Sequence, residues 1–298
     1  MIPYVREMAF EYGVVDQVSP LIRRVVANNP GPFTFLGTGT YIIGHGQVAV
    51  IDPGPDMDEH LEAILAATAG EQITHILITH HHADHSPLAE PLKARTGATI
   101  YGCAVAAHDE DDGPQMEAGH DLAFKPDVSL CGGGAVLEGP GWTLQAIATP
   151  GHTSNHLCYA LKEERALFSG DHIMGWSTTV VSPPDGDMTA YMDSLQLIRD
   201  ADFQVLWPTH GPPVREVAPF IDAYMAHRRA REAQVLKALS EGHSRIKEMV
   251  PALYADVDPR LHPAAARSML GCLIALVQRG VVTTQGEPGL DAEYRLAS

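Results

Sequence analysis

Ile73-Thr74-His75-Ile76-Leu77-Ile78-Thr79-His80-His81-His82-Ala83-Asp84-His85-Ser86 is the stretch that decides the fold. Its first seven residues form a β-branched, apolar run of buried-strand length. Directly after it, three imidazoles and a carboxylate, at His80, His82, Asp84 and His85, fall within six positions. Neutral nitrogen and anionic oxygen donors at that density suit zinc. His80 and His82 are two apart, so on an extended or just-turning backbone they leave the chain on one side and converge. Asp84 and His85 follow the turn and point elsewhere. A zinc site closes at about four ligands, so this division favours two neighbouring ions over one crowded ion. Ligation is preferred to a surface histidine tract, and it requires further donors from later in the chain.

Three more donors stand just past apolar runs: His152 after Thr149-Pro150-Gly151, Asp171 after Leu167-Phe168-Ser169-Gly170, and His210 after Leu206-Trp207-Pro208-Thr209. Any one alone is a weak signal, but four strand ends that each deliver His or Asp are hard to reach by chance. Apolar runs predict strands over 47–51, 73–79, 99–102, 142–149, 157–161, 166–169 and 204–206. The spacing of Met57, Leu61, Ile64, Leu65 and Thr68 predicts a helix over 56–69. Such alternation suits an α/β fold with two sheets sandwiched between helical layers. Gly132-Gly133-Gly134 is too short to bind phosphate and reads as a turn before the next strand. From about Pro219 the texture changes to helices over 220–240, 246–254 and 263–278 and a strand-turn-strand over 281–296, the order of a winged helix. The chain thus divides into a catalytic unit, 1–218, and a small C-terminal unit, 219–298.

The pattern HxHxDH at 80–85, with PGH ending at His152, GD ending at Asp171 and HG starting at His210, resembles the metallo-β-lactamase superfamily. The likeness continues through Asn29 to Tyr41 and Gly175 to Val181 to the C-terminus, nearly the whole chain. It looks most like the branch called β-lactamase-like protein 2, which carries a winged-helix tail and includes a single-strand-directed endoribonuclease. Gly39 departs from that branch, where relatives often carry Asn. The resemblance implies an αββα sandwich followed by a winged helix. It also implies a division of ligands, with His80, His82 and His152 on a first metal, Asp84, His85 and His210 on a second, and Asp171 bridging both. Asp52 then matches a first motif that supports the ligand loop. Two zinc ions sharing a water lower its pKa to supply hydroxide and polarise the bond under attack. Asp84, the candidate catalytic residue, would orient that water or pass a proton to the leaving group. Redox relatives with two irons usually carry Glu where His82 stands, and the HxHxDH-bearing antibiotic lactamases generally lack the Asp171 carboxylate. Iron or manganese is the alternative metal. The rival readings are a mononuclear iron persulfide dioxygenase and a winged-helix binding protein with a structural metal centre; the complete ligand set argues against the latter.

Composition narrows the class further. With 298 residues and 45% hydrophobic content, the chain can build one large domain with a sizeable core and one small domain. No run reaches the length of a membrane span, and the first residues lack the features of a signal or transit peptide, so a cytoplasmic location is expected. Cys103, Cys131, Cys158 and Cys272 are widely spaced without a CxxC pair and are expected to be free, buried thiols. Residues 1–226 carry 10 Lys and Arg against 29 Asp and Glu, a balance of −19, whereas residues 227–298 carry 10 against 8, a balance of +2. An acidic catalytic unit repels long polyanions, which leans towards a small ester, thioester, lactone or lactam. The resemblance points instead to single-stranded RNA. The last long helix holds only Arg267 and Arg279 as charges, which favours packing, homodimerisation or roofing the active-site mouth over DNA reading.

His156 and His172 either support the pocket or pack in the core, and His81 points away from the ligands by alternation. His45, His60, His75, His108, His120, His227, His243 and His262 have no partner pattern and read as ordinary. Ser177, Thr178 and Thr179 follow Asp171 closely enough to touch a substrate or merely to close a turn.

Overall fold

The computed structural model describes residues 2–104, 119–255 and 258–297; His108 lies outside them. A seven-stranded sheet runs in chain order through β1 (Asp16–Gln17), β2 (Ile22–Val26), β3 (Gly39–Ile43), β4 (Gln47–Ile51), β5 (Gln72–Leu77), β6 (Thr99–Gly102) and β7 (Val128–Ser129). Helices α1 (Asp58–Ala67) and α2 (Ala89–Thr96) are the crossovers that parallel neighbours β4, β5 and β6 require. The second sheet holds β8 (Val136–Gly139), β9 (Trp142–Ala148), β10 (Leu157–Leu161), β11 (Ala166–Gly170) and β12 (Val205–Pro208) in the order β12-β11-β10-β9-β8. Helix α3 (Met188–Asp200) crosses between the parallel pair β11 and β12. The C-terminal part comprises α4 (Val217–Ser240), α5 (Ile246–Leu253), a 3₁₀ turn at Pro259–Leu261, α6 (His262–Gln278) and the hairpin β13 (Val282–Thr284) and β14 (Tyr294–Leu296).

The period-two pleat assigns each strand's side chains to two different cores. In β3 and β4, Tyr41, Ile43, Ala49 and Ile51 face the second sheet, where they meet Tyr159, Phe168 and Trp207. Ile42, Val48 and Val50 face the other way and pack with Leu61, Ile64 and Leu92 of α1 and α2. The second sheet repeats the device: Cys158, Ala160, Leu167 and Leu206 pack against Tyr191, Leu195, Phe220 and Tyr224 of α3 and α4. The result is an αββα sandwich followed by a winged helix. Helix α4 serves two cores, its first half in the sandwich and Val235, Ala238 and Leu239 in the tail with Ile246, Met269 and Leu273. No helix among the described residues is long and apolar enough to cross a membrane.

Predicted strands 47–51, 99–102 and 157–161 coincide with β4, β6 and β10. The ligand strand ends two residues earlier than expected, although the Ile78 N–H still donates to the Tyr101 carbonyl of β6 at 3.0 Å. The glycine run at 132–134 is a turn before β8, with all three residues at positive φ. One expectation fails: Cys103 and Cys131 form a disulfide, while Cys158 and Cys272 are free and buried. The cause is the parallel pairing of β6 with β7, extended by the Leu130 N–H donating to the Gly102 carbonyl, which brings two residues 28 apart in sequence side by side.

Candidate metal centre

All seven predicted donors converge in one place, outside the carboxyl ends of the strands, where open α/β sheets build their sites. The segment after β5 carries His80, His82, Asp84 and His85, the loop after β9 brings His152, and the ends of β11 and β12 bring Asp171 and His210. His80 Nε2 lies 2.9 Å from His82 Nδ1, and His152 Nε2 lies 3.2 Å from that same atom. On the other side, His210 Nε2 is 3.0 Å and His85 Nε2 3.6 Å from the Asp84 carboxylate. Asp171 stands between the two groups, with Oδ1 at 3.5 Å from His210 Nε2 and 3.7 Å from His85 Nε2, and Oδ2 at 3.9 Å from His152 Nε2. Ligand atoms of the triads His80/His82/His152 and Asp84/His85/His210 each lie within 4.8 Å of one another.

A supporting layer fixes which ring nitrogens face inward. Asp52, at φ 49° and fully buried, accepts four hydrogen bonds: from the Thr79 N–H and Oγ1 at 2.8 Å, Thr209 Oγ1 at 2.9 Å and His85 Nδ1 at 2.9 Å. One carboxylate thereby ties the ends of β5 and β12 together and turns His85 Nε2 into the cluster. His152 Nδ1 donates to the Val180 carbonyl at 2.7 Å and His210 Nδ1 to the Gly37 carbonyl at 3.2 Å, which directs their Nε2 atoms inward as well. His156 is a support and not a donor to the centre: its Nε2 accepts from the Asp171 N–H at 3.2 Å, and its Nδ1 meets Thr149 Oγ1 at 2.9 Å. A Cβ at residue 170 would sit 2.6 Å from His156 Nε2, so only glycine at φ 51° lets Asp171 lie against that imidazole. His172 packs its ring against Tyr191. Thr179 Oγ1 donates to the carbonyls of Asp171 and His172, so it closes the loop after β11 while also lining the pocket with Ser177 and Thr178.

The two halves differ electrostatically. Burial, reinforced by neighbouring imidazoles, pushes His80 and His82 well below the ordinary histidine range and keeps them neutral. Burial acts on His85 and His210 in the same direction, but the carboxylates of Asp84 and Asp171 override it and push both upward. Burial would raise Asp84 and Asp171, yet the facing imidazoles hold both carboxylates below their usual range. His85 Nε2, His210 Nε2 and Asp171 Oδ1 are buried and face one another and the Asp84 carboxylate at 3.0–3.7 Å without an aligned hydrogen bond. Facing polar atoms left open in a dry interior fit a cation between them, and the donor set of imidazole and carboxylate suits a divalent metal.

Other histidines sit where patterning alone did not reach. His81 does point away from the cluster, but towards His120, whose near-parallel ring has its centroid 4.7 Å away and lies 5.1 Å from His82. His60 accepts or donates at Thr40 Oγ1 over 2.8 Å beneath Asp52. His227 lines the site's mouth, a cavity of about 300 Å³. That cavity runs from His82, Asp84, His152 and Asp171 to α4 and α6, so the apolar last helix packs in the tail core and roofs the mouth.

Residues 34–210 match the metallo-beta-lactamase superfamily, and residues 246–290 match the beta-lactamase associated winged helix domain. The chain belongs to the metallo-beta-lactamase superfamily. Among relatives, it is 35% identical to the beta-lactamase-like protein 2 homolog of Caenorhabditis elegans, over 90% of this chain and 88% of that protein. It is 31% identical to an atrochrysone carboxyl ACP thioesterase of Aspergillus chevalieri, over 82% of this chain and 76% of the relative. A crystal structure of a beta-lactamase domain protein from Burkholderia ambifaria superposes with a TM-score of 0.81 at 21% identity, covering 98% of this chain and 96% of the other.

Proposed function

We propose that the chain is a two-zinc hydrolase of a small acyl compound, a thioester or ester. His80, His82 and His152 would hold one ion, Asp84, His85 and His210 the other, and Asp171 would reach both. When bound there, the ions lower the pKa of a coordinated water and polarise the carbonyl under attack. The chain's own residues do the rest. Asp84, ionised at neutral pH, orients the attacking water and takes its proton. Met174, Trp176, Met188, Met192 and Met269 line the cavity that leads to the donors and give an acyl chain an apolar surface to lie on. The proposed unit boundary at 218/219 falls at the start of α4, the helix that joins the site to its roof.

The observation that carries the substrate class is this cavity: α4 and α6 wall one side of it, and Met174, Trp176, Met188, Met192 and Met269 offer an apolar surface beside the arginines Arg228, Arg229 and Arg231, which suits an acyl chain carrying an anionic group. Single-stranded RNA calls for a basic groove that tracks a long backbone; Arg228, Arg229 and Arg231 are confined to this one cavity wall, and the acidic balance of residues 1–226 disfavours a long polyanion. The thioesterase activity named for the Aspergillus relative supports the acyl reading. To test it, the zinc-loaded full chain is offered a chromogenic thioester and ester, a lactam and labelled single-stranded RNA over a range of salt. Thioester or ester turnover with little salt dependence is expected; RNA cleavage that falls steeply with salt would overturn the substrate class.

A further inference from the structure

Behind the ligand segment lies a second group of donors that this hydrolytic reading does not use. His81, His120 and Asp185 each present one ligand atom, and the three atoms lie within 4.8 Å of one another. His81 is buried, Asp185 half-buried and His120 exposed, so the group opens to solvent on one side.

The orientation of His81 is built and not incidental. Asn155 Nδ2 donates to the Cys103 carbonyl at 2.9 Å, and Asn155 Oδ1 accepts from Thr153 Oγ1 at 2.9 Å. The amide is thereby held with Oδ1 facing His81 Nδ1, again at 2.9 Å. An amide oxygen only accepts, so Nδ1 carries the hydrogen and Nε2 keeps its lone pair. An amide or carbonyl oxygen behind an imidazole, fixing its tautomer, is the support that metal-binding histidines use. That lone pair faces His120 Nδ1 at 2.7 Å, comparable with the 2.9 Å between His80 and His82 in the main cluster. His120 is placed by backbone: it forms an antiparallel bridge with His82, the Ala83 N–H donates to the Gly119 carbonyl at 2.9 Å, and the Asp121 N–H donates to the His81 carbonyl at 2.6 Å. Asp185 Oδ1 accepts from the Ser154 N–H at 3.1 Å, which orients its carboxylate.

We propose that His81, His120 and Asp185 form a separate site for a divalent ion of the zinc, cobalt or nickel class. Two imidazoles and a carboxylate leave one position for water, the composition of an open zinc site. An exposed ligand makes it weaker than the enclosed cluster. An ion held there joins the segment that carries His82 to the loop that carries Asp185, and so braces the main centre from outside.

The test counts ions on the full chain. Stripped protein is titrated with zinc and, separately, cobalt, and bound equivalents are read by equilibrium dialysis with elemental analysis, for the wild type, His120→Ala, Asp185→Asn and Asp171→Ala. The wild type should hold one weak equivalent more than His120→Ala and Asp185→Asn, with the tight equivalents retained in Asp185→Asn. Asp171→Ala should lose tight metal and keep the weak equivalent, which separates failure of this site from failure of the main centre. Equal weak binding in the wild type and Asp185→Asn would overturn the proposal and leave an N–H···N hydrogen bond between the two rings.

Discussion

Asp52 accepts four hydrogen bonds while fully buried and outside the lining of the cavity, so its removal separates support from catalysis. Asp52→Ala should weaken metal affinity by about 10- to 100-fold, the usual cost of losing such a partner behind a ligating histidine; competition with a chromophoric chelator reads this, and unchanged affinity would contradict the role given to Asp52. Asp171→Ala should release at least one ion and abolish turnover with the circular dichroism spectrum preserved. His60 offers a pH test away from the metal ligands. Burial lowers its pKa to about 4, whereas the unfolded chain protonates near 6.5, so acidification favours the unfolded state between those values. The folded state keeps this contribution above about pH 6.5 and loses up to ~3 kcal/mol of it by pH 4. In metal-free protein, urea unfolding at pH 7 and near pH 4.5 should show a smaller acid loss for His60→Asn than for the wild type; identical losses would remove His60 from the account.

At the scale of elements, the sandwich and the tail meet through α4. Arg228 on that helix donates to the Thr179 carbonyl, and Thr179 Oγ1 in turn donates to the Asp171 carbonyl at 2.8 Å. Its guanidinium also lies 5.1 Å from the Tyr191 ring. Arg228→Met keeps much of the stem and removes the donor. It should lower kcat/KM roughly tenfold, the worth of one charge-assisted hydrogen bond of ~1.5 kcal/mol, while metal content stays constant; wild-type kinetics would detach the tail from the site. This link was not legible in the sequence, because a residue 57 positions after Asp171 carries no local pattern that points back to it. The donors themselves were legible, since each sits where an apolar run stops. Strands β2 and β3 escaped notice because Arg23, Arg24 and Thr40 interrupt their apolar character, although Arg24 is nearly buried and paired with Asp16. The disulfide and the His81–His120 contact were hidden for a common reason: β6 pairs with β7 in the one case and His120, ahead of β7, bridges the ligand segment in the other, tertiary events with no periodicity to report them.

Across the whole molecule, an acidic sandwich is combined with a near-neutral tail whose helix α4 brings Arg228, Arg229 and Arg231 to the mouth of the site. On the proposed reading, the acidic sandwich would not attract an anion from a distance, whereas the arginines at the mouth would hold an anionic group once it arrives. The central claim is a two-zinc hydrolytic centre, and elemental analysis of protein purified without added metal tests it most directly, with the same sample assayed on a chromogenic thioester. The account predicts about two zinc ions per chain and thioester hydrolysis. One iron per chain, oxygen consumption and no hydrolysis would contradict it.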